Sequence, residues 1–154
     1  MSRAVAPVLG TLLLVALTVS LAALVGAGAL SVPTDLQRES PVVLSAAVNS
    51  TADSLTLAHE SGPPINVREI AVNITVDGTP LRYQPPVPFF NEDGFESSPT
   101  GPFNYGSDHI WTSGEHTTVQ LDANNAPRFD RGSSIVVRIY HDDALVARVQ
   151  ATDG

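Results

Sequence analysis

The chain contains no cysteine and no lysine. The missing thiols exclude a disulfide framework, a thiolate metal site, a cysteine nucleophile and a blue-copper centre. All eight basic residues are arginines, against sixteen Asp and Glu residues, and the formal net charge is -8 at pH 7. So acidic a balance argues against a nucleic-acid partner, because phosphate backbones are met by clustered Lys and Arg. It also argues against charge-driven docking on an anionic membrane surface.

The acidic surplus without lysine predicts a protein adapted to high salt. Strong screening at high ionic strength reduces the self-repulsion of the acids, and the charged surface stays hydrated.

Charge is also missing from the N-terminal part of the chain, where Arg3 is the only charged residue before Asp35. The run Val5–Val32 is rich in Leu, Val and Ala, and as a helix it would be roughly 42 Å long, against about 30 Å of bilayer hydrocarbon. Pro7 lies in the first turn, where a proline is tolerated, and Pro33 marks the expected end of the helix.

Two interpretations of this run follow from general rules. A cleaved secretory signal has a basic start, an apolar stretch of about 7–15 residues and a small-x-small site. Ala27-Gly28-Ala29 offers such a site, but the run is longer and its start holds a single Arg. An uncut signal anchor fits the length, with Arg3 holding the N-terminus in the cytoplasm.

A third interpretation comes from resemblance. The stretch RAVAPVLG, from Arg3 to Gly10, followed by Leu, Val and Ala to position 30, resembles the N-terminus of archaeal type IV pilins, haloarchaeal ones above all. In that family a prepilin peptidase cuts on the cytoplasmic side of the apolar segment. The residue directly before the cut is small, and the residue before that one is basic. The resemblance therefore implies recognition at Arg3 and Ala4, removal of a leader of residues 1–4, and a mature N-terminus at Val5. Bacterial relatives carry a Glu at the fifth mature position; here it is Leu9, which favours the archaeal branch.

The resemblance also implies what the helix of residues 5–32 does. A helix that is apolar all round needs burial, which the membrane supplies before assembly and neighbouring pilin subunits supply afterwards. Gly10, Gly26 and Gly28 would permit close helix approach. The N-terminus would be cytoplasmic and the rest of the chain extracellular, first at the cell membrane and then in a filament.

Residues 33–41 form the expected joint, and from residue 42 to 154 the pattern changes to period two. Alternation and turn residues predict antiparallel strands at the following positions: Pro41–Val48, Ser54–Glu60, Ile70–Val76, Leu81–Tyr83 after an Asp77-Gly78 turn, Thr117–Leu121, Ser134–Tyr140, and a return strand with Leu145, Ala147 and Val149 inward. The predicted fold class is α+β: a single long N-terminal hydrophobic helix followed by an antiparallel β-sandwich head domain.

Residues 84–116 interrupt this pattern with an irregular insertion rich in Pro and aromatic residues. Its aromatic side chains are Phe89, Phe90, Phe95, Phe103, Tyr105 and Trp111. One interpretation is that they pack over the sandwich as a satellite core. The other is that they form a contact surface for neighbouring subunits or for an adhesion target.

The remaining motifs give few sites. Asn49 and Asn73 begin N-x-S/T sequons and are candidate glycan acceptors in an exported domain. The Asp, Glu and His pairs of the head have no zinc or EF-hand spacing, so we expect solvated turn acids, no metal and no cofactor. His59, with Ser61 and nearby acids, lacks any nucleophile or metalloprotease motif, so we expect no catalytic residues and no enzyme.

The sequence therefore predicts a structural subunit of an extracellular type IV pilus-like filament, processed by a prepilin peptidase and acting in surface adhesion. Two alternatives stay open. One is a membrane-anchored extracellular β-sandwich that binds a ligand without polymerising, and the other is a minor pilin in filaments of another protein.

Overall fold

The computed structural model describes the backbone of residues 5–30 and 41–153, and the side chains of residues 5–25 and 41–153. The predicted leader, with Arg3 and Ala4, and the predicted joint up to residue 40 lie outside the described residues. The chain divides into two compact units, one containing helix α1 (Val5–Leu30) and the other containing every described strand. The fold class predicted from the sequence, one long apolar helix followed by an antiparallel β-rich head, is confirmed.

The described part of the head contains nine strands: β1 (Val43–Asn49), β2 (Ser54–Ser61), β3 (Ile65–Asn66), β4 (Ile70–Val76), β5 (Thr79–Pro80), β6 (Ile110–Trp111), β7 (His116–Gln120), β8 (Ser134–His141) and β9 (Ala144–Thr152). They form a three-stranded sheet of order β1-β2-β7, a four-stranded sheet of order β5-β4-β8-β9, and the small pair β3-β6. All the pairings between these strands are antiparallel.

The two larger sheets bury alternate residues in one hydrophobic core. Leu55 and Leu57 of β2 contribute from the first sheet, and Val72 and Ile74 of β4 contribute from the second. Both sheets therefore have one apolar and one more polar face, as period-two alternation predicts.

The β4–β5 connection confirms the predicted turn but corrects the strand after it. Asp77 and Gly78 both have positive φ values, 50° and 85°, as a type I′ turn requires. The strand predicted at Leu81–Tyr83 is wrong, because β5 ends at Pro80, which has no N–H to continue a ladder.

The β8–β9 hairpin corrects a second prediction. Ile139 pairs with Ala147 and Tyr140 pairs with Leu145, so the register skips Val146. Because side chains alternate between the two faces of a sheet, skipping Val146 places Leu145 on the face opposite to the one that strict alternation predicts. The prediction that Leu145 points inward is therefore wrong, and its side chain is 53% exposed.

The segment between β5 and β7 covers a sheet edge. Glu96 N donates to Gln120 O at 3.0 Å, and Thr100 N donates to Thr118 O at 3.1 Å. Thr118 N donates in turn to the Thr100 hydroxyl at 2.9 Å. The outer edge of β7 is thus occupied by chain from the same head, which protects it from pairing with another molecule.

Candidate assembly helix and head surface

Helix α1 presents an uninterrupted apolar surface over its described side chains. No acidic or basic residue lies between Val5 and Val25, and this part of α1 is long and apolar enough to cross a membrane. The three hydroxyl groups of that stretch all donate to carbonyls of the helix itself: Thr11 to Val8 O at 2.9 Å, Thr18 to Leu14 O at 2.7 Å and Ser20 to Ala16 O at 2.8 Å. Hydroxyls satisfied in this way need no water, so hydrocarbon or similar helices can surround this surface.

The predicted helix-packing and cleavage residues are described in part. Among the described residues, no atom beyond the adjoining helix backbone lies within 4 Å of the position that a Cβ on Gly10 would occupy. Gly26 and Gly28 belong to α1, but their surroundings lie outside the described side chains. Val5, the predicted mature N-terminus, is the first described residue of the helix.

The six aromatic residues of the insertion divide into two groups. Four are buried in the core of the head: Phe89, Phe95, Phe103 and Trp111. The other two, Phe90 and Tyr105, are 50% and 52% exposed. The insertion therefore completes the core with most of its rings and leaves two rings at the surface.

The two exposed rings form a cluster with two polar side chains. The ring centroids of Phe90 and Tyr105 are 5.4 Å apart with an interplanar angle of 56°, and His109 lies 5.7 Å from Tyr105. The guanidinium carbon of Arg68 lies 5.9 Å from the centroid of the Tyr105 ring, within cation–π range. We call these four residues the aromatic platform.

The backbone beneath the platform is held by hydrogen bonds. Phe89 N donates to Phe103 O at 2.9 Å, and Tyr105 N donates to Phe89 O at 3.1 Å. Asn104 fixes the same turn, because its Oδ1 accepts from Gly106 N at 2.8 Å and its Nδ2 donates to Pro99 O at 3.0 Å. The two exposed rings thus project from neighbouring, mutually bonded segments.

The two sequon asparagines lie in different settings. Asn49 ends β1 and is exposed, and its Oδ1 accepts from Thr51 N at 3.0 Å and from Ala52 N at 3.2 Å. Asn73 lies in the middle of β4, opposite Arg138 of β8, and is half-buried. Asn49 is therefore the more accessible of the two acceptors.

Asp153 lies beside the first sequon and binds its central residue. The Asp153 Oδ2 accepts from Ser50 N at 2.7 Å. Side-chain and backbone hydrogen bonds from Ser50, with a smaller contribution from the positive charge of Arg131, lower the pKa of Asp153 below its ordinary value, against a small opposing effect of desolvation.

His59 is the one titratable side chain that lies fully buried among the described residues. The His59 ring is fully buried against Trp111, at a centroid distance of 5.8 Å, and neither ring nitrogen has a hydrogen-bond partner among the described residues. No group of three or more His, Asp and Glu side chains in that part of the chain could hold a metal ion. His59 is thus a core residue of the head.

The described residues thus combine an apolar helix of membrane-spanning length with an antiparallel β-rich head. Residues 3–47 match the family model for the N-terminal region of archaeal type IV pilins. Over this region the chain is similar to archaeal type IV pilins. No curated protein matches the chain.

The match ends within β1, so it covers the segment that carries Arg3, Ala4 and α1 but almost none of the head. Two platform residues, Arg68 and His109, were not identified from the sequence. Neither lies in a motif, and they reach Tyr105 only because β3, β6 and the turns around them bring the segments together.

Proposed function

We propose that the chain is a structural subunit of an extracellular type IV pilus-like filament. The observation that supports this most directly is the uncharged surface of α1, whose described hydroxyls are all bonded internally, in a segment that matches archaeal type IV pilins. Such a helix is stable in a bilayer before assembly and among similar helices afterwards.

Processing at the N-terminus makes the transfer of α1 from the bilayer to the filament feasible. A prepilin peptidase recognises Arg3 and Ala4 and cuts before Val5. Arg3 first keeps the N-terminus in the cytoplasm, in accord with the positive-inside rule. Its removal takes away the one side chain before Asp35 that resists withdrawal of the helix from the membrane.

In the filament, α1 helices from other pilin subunits bundle and the heads face solvent. Gly10, Gly26 and Gly28 allow close approach between helices, because a missing side chain brings two backbones together. The acidic heads stay hydrated and soluble at high salt, and Asn49 and Asn73 are the glycan acceptors. The exposed part of the insertion, Phe90 and Tyr105, supplies adhesion contacts at the cell surface.

N-terminal sequencing of the mature protein tests the processing step. A start at Val5 is the expected result, and Arg3→Gln is expected to leave the leader attached and to reduce filament yield. Arg38→Gln, which removes the next arginine along the chain, serves as the matched control. A mature start at Leu30 would identify a secreted domain, and retention of Met1 or Ser2 would identify a fixed anchor.

Sedimentation of shed surface material tests assembly. A filament subunit pellets as a polymer, whereas the alternative, a membrane-anchored binding module, stays with the membrane fraction. A pellet in which this chain is a minor component beside another pilin would identify a minor pilin.

A further inference from the structure

We propose that the aromatic platform of the head binds an anionic saccharide, a sugar ring that carries a carboxylate. The inference rests on the proposed adhesive function of the head and names the class of ligand that the platform takes. Binding of the sugar depends on Phe90, Tyr105 and Arg68, and it does not require polymerisation.

The size of the platform favours a small ligand. Phe90 and Tyr105 are 50% and 52% exposed. An aromatic side chain contributes about 150–250 Å², so the two rings offer roughly 200 Å² of contact surface. A stable protein interface needs about 800 Å² on each partner. The platform is therefore too small to hold a protein partner by itself.

The chemistry of the rings favours a sugar. The two rings lie 5.4 Å apart and both are exposed, so they form one contiguous apolar patch against which the C–H face of a pyranose can pack. Tyr105 is 52% exposed, and its phenolic hydroxyl can donate to or accept from a sugar hydroxyl. Apolar contact combined with a few polar groups is the usual composition of a small-molecule site.

Arg68 adds the preference for negative charge. No carboxylate of the described residues forms an ion pair with Arg68, whereas Arg128 is paired with Asp53. The guanidinium carbon of Arg68 lies over the exposed Tyr105 ring, 5.9 Å from its centroid. A guanidinium matches a carboxylate in a two-bond geometry, so a uronic acid satisfies the ring and the cation together.

The platform is formed before the ligand binds. The bridge between Phe89 and Asn104 joins the two segments that carry the rings. Gly106 lies against Phe90, because a Cβ there would be 3.2 Å from Phe90 Cε1. Little side-chain or loop ordering is then needed on binding, which favours affinity for a small ligand.

The test is calorimetric titration of the full-length processed chain in detergent. One ligand is an oligosaccharide of uronic acid, and the other is a neutral hexose oligosaccharide of the same length. We expect the uronate to bind more tightly. Tyr105→Ala and Phe90→Ala should each weaken binding of both sugars by roughly three- to tenfold, the range of one aromatic contact. Arg68→Gln should weaken uronate binding alone, by roughly two- to fivefold for an exposed ion pair.

Two variants serve as controls. Arg82 lies over Tyr83 at 5.3 Å, so Arg82→Gln removes a cation–π contact of the same kind elsewhere on the head and should leave binding unchanged. Tyr105→Phe retains the ring and should retain most of the affinity. Thermal unfolding of each variant verifies the fold, since the substituted side chains are exposed.

Several results would overturn the proposal: wild-type affinity in Tyr105→Ala, equal affinity for both sugars in the wild type, or no binding of either. Platform variants that disturb filaments in the absence of sugar binding would also overturn it, and would assign the platform to subunit contacts. Sugar binding by a chain that never sediments as a filament would support the saccharide site and count against the proposed function instead.

Discussion

The side-chain amide of Gln84 bonds both backbone groups of Ile74. Its Oε1 accepts from Ile74 N at 2.7 Å, and its Nε2 donates to Ile74 O at 2.8 Å. Ile74 itself is fully buried in β4. The amide therefore supplies the acceptor for Ile74 N beyond the end of β5, and it shares Ile74 O with Leu81 N, which donates to it at 3.0 Å.

Replacing Gln84 should destabilise the head. Gln84→Leu leaves the N–H of Ile74 without a partner, whereas its C=O still accepts from Leu81 N at 3.0 Å. The expected loss in free energy of unfolding is about 1–3 kcal/mol, the cost of one buried unpaired group. Chemical denaturation of the processed chain in detergent measures it. Gln150→Leu, which removes an exposed amide bonded to the Ser134 hydroxyl at 2.7 Å, is the matched control and should cost below about 0.5 kcal/mol. Equal losses in the two variants would contradict this role of Gln84.

How far the sequence predicts the head can be judged from β4 and its neighbours. The alternation of Val72 and Ile74 with Ala71 and Asn73 identifies β4 and its buried face, because side-chain period and burial are set by the same pleat. The role of Gln84 is not predictable in this way, since a side-chain amide that pairs with a strand ten residues earlier leaves no periodic signal.

The candidate site likewise has a part that the sequence predicts and a part that depends on the folded structure. Arg3, Ala4 and the apolar run form a local motif, so the pilin resemblance was readable from the sequence and the family match supports it. The aromatic residues of the insertion carried no information about which would be exposed. The burial of Phe103 and the exposure of Tyr105, two residues apart, depend on long-range packing against β6 and β7.

A second prediction concerns Asp53, which joins the β1–β2 turn to the segment before β8. Its carboxylate pairs with Arg128 and accepts from Phe129 N at 3.1 Å, and its φ is 49°. Asp53→Ala should lower the free energy of unfolding by about 2–3 kcal/mol, because it loses a charge-assisted pair and places Ala in a left-handed conformation.

Asp53→Asn separates these two causes. Asn tolerates positive φ and keeps an acceptor for Phe129 N, so a loss of about 1 kcal/mol is expected. Asp142→Asn is the control, since Asp142 also has positive φ, 48°, but its side chain is 91% exposed. If Asp53→Asn costs as much as Asp53→Ala, charge rather than backbone conformation dominates.

A third prediction concerns acid stability at the end of β9. The hydrogen bonds from Ser50 lower the pKa of Asp153 in the folded state below its unfolded value of about 3.8. The stabilisation is therefore fully present above the unfolded pKa and is lost as the pH falls through the folded pKa. The thermal midpoint of the wild type should therefore fall when the pH is lowered below about 4, in part because Asp153 becomes protonated. Asp153→Asn should remove that contribution to the fall.

Asp93→Asn provides the comparison for Asp153→Asn, since Asp93 is an exposed loop acid. The decrease in thermal midpoint at low pH should be the same in Asp93→Asn as in the wild type. A wild-type acid profile in Asp153→Asn would show that the contact with Ser50 N has no effect on folding.

The last prediction concerns salt. Sixteen acidic residues face eight arginines, and among the described arginines only Arg128 forms an ion pair with a carboxylate. Mutual repulsion of the acids therefore opposes folding at low ionic strength, and added KCl should raise the free energy of unfolding as the screening length falls from about 10 Å at 0.1 M to about 3 Å at 1 M. Denaturant titrations at several KCl concentrations measure the slope of the free energy of unfolding against KCl concentration.

The double variant Asp142→Asn and Asp143→Asn removes two adjacent exposed charges and should reduce this slope. A stability independent of KCl, or an unchanged slope in the double variant, would mean that acid repulsion does not limit stability, and the expected adaptation to high salt would then lack a physical basis.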